Sequence, residues 1–200
     1  FYVLPFTATR TSMGRDPVRE RRPRMANDFQ HYFRLWEASF PQRREVRWAN
    51  GYLHNAYCAD CRYCCGPQDS ATPFPMPLLP AQCHERLEDD FYLLDPVTPC
   101  LDDRGCKSCG PQGCRLPRPQ RPIACGLFPL VLVRDALHLY QCCPAALHLP
   151  LREWIRLGEQ ARDWLLTFSP AERQRLSLSL SPETLAESYI DLHLALPEHP

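Results

Sequence analysis

The stretch YCADCRYCCG, Tyr57 to Gly66, packs four cysteines into eight positions as C-x2-C-x2-C-C, the last two adjacent. The whole chain of 200 residues holds 12 cysteines, all between Cys58 and Cys143, with none in the first or last 57 positions. A disulfide framework stapling the whole fold would reach the ends of the chain, and C-x2-C pairs seldom bridge to each other in such scaffolds. Buried inert thiols pack as small hydrophobes among aliphatics, whereas these sit among proline, glycine and arginine. Only Cys83 and Cys100 suit that role singly. Metal ligation fits best, because a C-x2-C loop brings two sulfurs to one ion.

The neighbours agree with ligation. Glycines 66, 105, 110, 113 and 126 each stand beside a cysteine, where they allow tight turns and let backbone N–H groups approach sulfur. Arg62, Arg104, Lys107, Arg115 and Arg121 are placed to offset the charge of several thiolates. In an extended segment, adjacent side chains point to opposite sides. Cys64 and Cys65 are therefore expected to serve different centres, or one to ligate while the other packs. With GCKSCGPQGC (105–114) and IACG (123–126), there are thiols for two four-sulfur sites. The bacterial ferredoxin continuation x3-C-P is missing after the run.

CADCRYCC followed by GCKSCGPQGCRLPRPQRPIACGLFPL resembles the zinc- or iron-chelating cysteine-cluster family named for its CxxCxxCC motif, the YkgJ-like proteins. Cys114 precedes Arg121-Pro122-Ile123-Ala124-Cys125, Phe128-Pro129 follows, and Cys143-Pro144 matches a downstream Cys-Pro. The likeness spans about residues 55–148. By position it implies as ligands Cys58, Cys61, Cys64, Cys65, Cys114, Cys125 and one of Cys106 or Cys109, with Cys143 as an eighth. RLPRPQ departs from the family's isoleucine–tyrosine pair and adds one residue, while Cys83, Cys100 and Cys142 match no family position. A flagellin lysine methylase carries a similar cluster, so the module can accompany an enzyme.

Outside the cysteines the chain reads more plainly. Net charge is zero, with 23 basic and 23 acidic residues, which gives no global pull toward nucleic acid or membrane. Residues 1–24 read as a disordered, arginine-rich arm, and Met25 opening MANDFQHYF reads as a chain start. Residues 25–200 are expected to form a single cysteine-cluster domain. Phe29, Tyr32, Phe33, Trp36 and Phe40 mark one face of a helix that Asn27 caps and Pro41 ends. Residues 58–126 show no sustained period and many of the 22 prolines, so that middle is expected to lack an ordinary core of its own. Leu130–Val133 and Leu137–Tyr140 predict a β-hairpin with Arg134-Asp135-Ala136 at its turn. LREWIRLGEQARDWLLTF (151–168) predicts an amphipathic helix, SPAE (169–172) a capping box, and SPET (181–184) the start of a last helix reaching about Leu194.

The fold class expected is α+β: an irregular cysteine-rich metal-binding lobe, about 55–148, with a short hairpin. Flanking helices pack around it, including a helical C-terminal part at 150–197. FYVLPF at the start is apolar but too short for a signal-peptide core, so a cytoplasmic location is expected. His54 and His84 are weaker ligand candidates, and Glu85, Glu88, Asp89 and Asp90 read as a solvated face. No nucleophile elbow, Walker loop or dinucleotide fingerprint is present. The expected function is binding of zinc or iron through thiolates, the iron as a possible iron–sulfur cluster. Closed all-cysteine coordination leaves no open position for substrate, which favours a structural metal. An iron–sulfur redox or group-transfer enzyme and a disulfide-bonded binding module are the alternatives, and a protein partner is left open.

Overall fold

The computed structural model describes residues 44–58, 63–65, 74–84, 91–101, 105–110, 113–117 and 120–197. The arginine-rich arm, the amphipathic 27–40 segment and the acidic run at 85–90 lie outside the described residues. Val46–Ala49 (β1) pairs antiparallel with Tyr52–Asn55 (β2). Asn50 and Gly51 between them have φ of 54° and 75°, the left-handed pair that a two-residue hairpin loop takes. A Cβ on Gly51 would stand 2.7 Å from Trp164 Nε1, so the loop also needs the empty space.

The proline-rich middle then packs in extended form. Pro77 bridges to Cys100, Leu78 N–H donates to Pro99 at 2.8 Å, and Leu101 N–H donates to Met76 at 3.0 Å. The bonds fall on Met76 and Leu78, between the prolines, so the missing proline donors cost nothing there. A short helix, Pro80–His84 (α1), follows. Phe91–Asp95 (β3) and Thr98–Leu101 (β4) make a second hairpin, closed by Val97 N–H donating to Asp95 Oδ1 at 2.8 Å. The third is minimal, Cys109–Gly110 (β5) against Gly113–Cys114 (β6). Ile123–Leu127 (α2) leads into Leu130–Val133 (β7) and Ala136–Tyr140 (β8). Leu151–Leu165 (α3), Pro170–Leu176 (α4) and Pro182–Ser188 (α5) come next, and Tyr189–Ala195 (β9) ends the regular structure.

The class is α+β, helices with small antiparallel sheets. Three expectations need correction. First, the last helix stops at Ser188 and does not reach Leu194; the chain becomes β9 and pairs with β8, giving the order β7-β8-β9. Leu192, Leu194 and Leu196 are buried while Asp191, His193 and Ala195 are exposed, a period of two that wins over the helical start at SPET. Second, the middle is not coreless. Phe74, Met76, Leu78, Leu79, Leu101, Ile123, Leu127 and Phe128 all join one buried cluster with Trp154, Leu157 and Leu165 of α3. Prolines hold these segments extended and do not stop them packing. Third, Ala136 belongs to the strand, leaving a two-residue turn.

Other readings hold. α3 buries Trp154, Leu157, Gly158, Ala161 and Leu165, and Gly158 lets β9 approach, since a Cβ there would meet Leu194 Cδ1 at 2.7 Å. Ser169 caps α4: its hydroxyl accepts from Glu172 N–H at 3.3 Å, and Glu172 Oε2 accepts from Ser169 N–H at 2.9 Å. Ser181 caps α5 through Thr184 N–H at 3.2 Å.

The β7–β8 turn is strained by its residues. Arg134 and Asp135 have φ of 46° and 63°, a region that costs an L-residue roughly 1–2 kcal/mol. Replacing the pair by Asn-Gly is expected to raise stability by about 1 kcal/mol, read as a higher denaturation midpoint at unchanged m-value.

Candidate metal centre

Tyr63–Cys65 is a single turn of 3-10 helix. That geometry, not an extended one, sets the two adjacent cysteines. Cys64 and Cys65 interact through their side chains. Cys109 of β5 also donates to Cys65. Cys58, one residue beyond Tyr57, and Cys125 of α2 both lie close enough to bear electrostatically on Cys64.

The thiols differ in protonation. Cys64 is held well above its ordinary pKa, first because its S–H donates to Cys65 and then because it is buried among other sulfurs. Cys65 is the acceptor of the group. The bond from Cys64 lowers its pKa to about 7, against the opposing effect of burial and helped by Cys109 and the Arg121 guanidinium. Arg121 is fixed by Nε donating to Leu116 O at 3.0 Å, and its own carbonyl accepts from Gln82 Nε2 of α1 at 3.5 Å. Of the cations that the sequence offered as charge-balancing groups, Arg121 is the one placed to act on Cys65. Arg115 is exposed and spends its guanidinium on the Lys107 carbonyl. Arg62 and Arg104 lie outside the described residues.

Several contacts bring the distant segments together. Cys106 N–H donates to the Cys65 carbonyl at 3.0 Å, and Cys109 N–H to the Cys106 carbonyl at 2.9 Å. β6 sets Cys114 opposite Cys109, with Gly110 opposite Gly113 at φ 94°. The Tyr57 ring, preceding Cys58, stacks on His148 with centroids 4.4 Å apart and planes 9° apart, and its hydroxyl accepts from Arg44 N–H at 3.1 Å. On the other side, α2 presses on β2. A Cβ on Gly126, next to Cys125, would lie 2.5 Å from Tyr52 Cδ1. Burial raises the Tyr52 pKa, with Arg121 partly opposing it, so one arginine serves both Tyr52 and Cys65.

Of the sequence-proposed ligands, Cys58, Cys65 and Cys125 bear on the protonation of Cys64, and Cys64 and Cys109 on that of Cys65. Cys114 lies in β6 opposite Cys109, and Cys106 precedes that hairpin, each part-buried. Cys143 is buried at the cap of the 3-10 helix Pro144–Leu147, its N–H donating to Tyr140 O at 3.2 Å. Cys61 lies outside the described residues. Among the described residues no group of three or more histidine, cysteine or carboxylate side chains stands where it could hold a metal ion, and the eleven described cysteines carry no disulfide. Cys100 behaves as an inert core thiol, fully buried with its pKa pushed up to about 12 chiefly by desolvation. His54 lies in β2 opposite Arg47. Sequence reasoning missed Tyr52, although the Asn50-Gly51 turn signal marks its hairpin.

No family model, curated protein or solved structure matches the chain.

The Gly126–Tyr52 contact carries a test. Gly126→Ala is expected to destabilise by about 1–3 kcal/mol, the range of overpacking. Adding Tyr52→Leu is expected to recover part of the loss, read from denaturation midpoints of the single and double variants.

Proposed function

We propose that this chain is a metal-binding protein of the CxxCxxCC type, in which clustered cysteine thiolates hold zinc or iron. One observation supports it above the others: Cys58, Cys125 and Cys109, from separate stretches of chain, bear on the protonation of the adjacent Cys64 or Cys65. Cysteine thiolates are soft donors, which suits zinc and iron–sulfur centres over hard cations. Cys58, Cys61, Cys64, Cys65, Cys109 and Cys125 would hold the metal, with Cys106, Cys114 and Cys143 as further candidates. A bound metal supplies fixed positive charge that lets neighbouring thiols ionise together and ties their segments into one crosslink.

The chain's own residues prepare that role. Cys65 is the more acidic thiol of the Cys64–Cys65 pair, and Arg121 offsets its charge. The β5–β6 hairpin sets Cys109 beside the 3-10 turn, and Gly126 lets α2 seat Cys125 against β2. None of these features requires a substrate position, so the role proposed for the metal is mainly structural. The resemblance to the zinc- or iron-chelating family argues in the same direction from sequence. Location is proposed as cytoplasmic on that resemblance; among the described residues no helix is long and apolar enough to cross a membrane.

Metal analysis of protein purified without oxygen tests the reading. Bound zinc with a colourless sample, or bound iron with a brown one, is expected, the second result pointing to a redox or group-transfer centre. Cys61→Ser and Cys65→Ser are expected to release metal and lower the melting temperature sharply, while Cys83→Ser keeps the metal. A metal-free protein that melts unchanged after exhaustive chelation and reduction would sink the proposal.

A further inference from the structure

His148 ends the 3-10 turn Pro144–Leu147, its N–H donating to Ala145 O at 3.1 Å. Its half-buried ring lies flat on Tyr57, with centroids 4.4 Å apart and planes 9° apart. Nε2 is buried and has no hydrogen-bond partner. Among the described residues no carboxylate pairs with the ring, and the charged group that bears on it is Arg44. Arg44 stands 5.9 Å from the centroid of the same Tyr57 ring and donates its N–H to the Tyr57 hydroxyl at 3.1 Å. Asn55, which accepts from Tyr57 N–H, is uncharged. α3 meets the turn through Trp154 Nε1, which donates to Ala146 O at 3.3 Å, and brings no described ionisable group to bear on His148. A neutral imidazole can leave Nε2 as a bare acceptor. A protonated one carries hydrogen on both nitrogens, which puts an unpaired donor and a positive charge in a dry place near a second cation. Stacking on a tyrosine face rewards an imidazolium, but Arg44 already draws on that ring. Burial first, and Arg44 after it, accordingly hold the His148 pKa below its ordinary value.

We propose that the His148–Tyr57 stack is a pH-operated latch: protonation of His148 drives its ring off Tyr57 and unties the 3-10 turn at Cys143 from the segment that carries Cys58. The tie matters because Tyr57 directly precedes Cys58, while Cys143 caps the turn that His148 closes. Among the described residues no sulfur bears on His148, so the latch works with or without a metal. The unfolded chain takes the proton before the folded one does. Stability contributed by the stack is therefore complete above the ordinary histidine pKa of about 6.5. It is lost as the pH falls below that value toward the folded-state pKa.

The test follows the His148 ring of the full chain by NMR from about pH 5 to about pH 8, a range centred on the ordinary histidine pKa. Denaturation midpoints of the unaltered chain and of His148→Phe are compared over the same range. Phenylalanine keeps a stacking ring and cannot titrate, and effects of the thiols and other histidines are common to both chains and cancel in the difference. His148 is expected to titrate below about 6.5 and to lose the ring-current shift from Tyr57 as it does so. The midpoint of the unaltered chain is expected to fall relative to His148→Phe once the pH drops below about 6.5, with a constant difference above about 7.5. Titration at or above the ordinary value overturns the proposal, as does a ring-current shift that persists in the protonated form, or a midpoint difference independent of pH. If His148→Phe does not fold, the NMR titration of the unaltered chain decides the matter alone.

Discussion

β8 is the strand on which the rest of the described structure depends. It pairs with β7 on one edge and β9 on the other, so its backbone donors and acceptors are committed on both sides. Leu137 and Leu139 are almost wholly buried, and a slip of one residue would turn them to the opposite face. Register is therefore fixed, and it is fixed for everything attached. Tyr140 N–H donates to Pro129 O at 2.9 Å, and Gln141 N–H to Ser188 O at 3.0 Å. Through the first bond β8 sets the exit of α2; through the second it sets where α5 gives way to β9. The bulge in β9, where Leu137 faces Leu194 but His138 faces Asp191, absorbs two residues. His193 there takes a φ of 56°, which leaves the leucines on the buried face.

That frame explains how a site made of remote pieces can be held at all. α2 is only five residues long, too short to be stable by itself. It is fixed instead from its ends and its faces. β7 continues from it, Ile123, Ala124 and Leu127 are buried, and Gly126 admits the Tyr52 ring. Cys125 is thereby carried on a wedge between the three-stranded sheet and the β1–β2 hairpin. The hairpin is tied in turn to α3 through Trp48, whose ring meets Trp164 edge-on at 5.6 Å. The same hairpin runs on to Tyr57 and Cys58. Aromatic packing of ordinary kind thus brings the two ends of the cysteine motif toward each other, before any metal is considered.

Much of this could be read in the residues, and the failures have physical causes. The β7–β8 hairpin, α3 and both serine caps followed from periodicity and capping chemistry, which act within a few residues. β9 was misread because SPET is a true helix start, and nothing local says where the helix stops. The decisive signal was the alternation Leu192, Leu194, Leu196, whose meaning depends on an edge of β8 being available. The packing of Phe74–Leu79 was missed because prolines were taken as breakers, when they also suit extended segments whose hydrogen bonds fall between them. The extended backbone assumed at Cys64 and Cys65 gives way to one turn of 3-10 helix, which no spacing of cysteines announces. That Cys106 N–H reaches the carbonyl of Cys65 is tertiary information that no spacing carries.

Two arginines show how position decides what the same group does. Arg121 and Arg173 are both drawn inside the molecule's surface, and both guanidiniums keep their charge. Arg121 lies beside Cys65, Tyr52 and the Leu116 carbonyl. Its charge is spent on acidifying a thiol, and its donor on a backbone acceptor. Arg173 is almost wholly buried with a donor unspent. Repulsion among clustered sulfurs makes the first arginine an asset, because without it each further thiolate would be harder to form. No such gain is visible around the second, where replacement by an apolar side chain of similar length would relieve a desolvated charge.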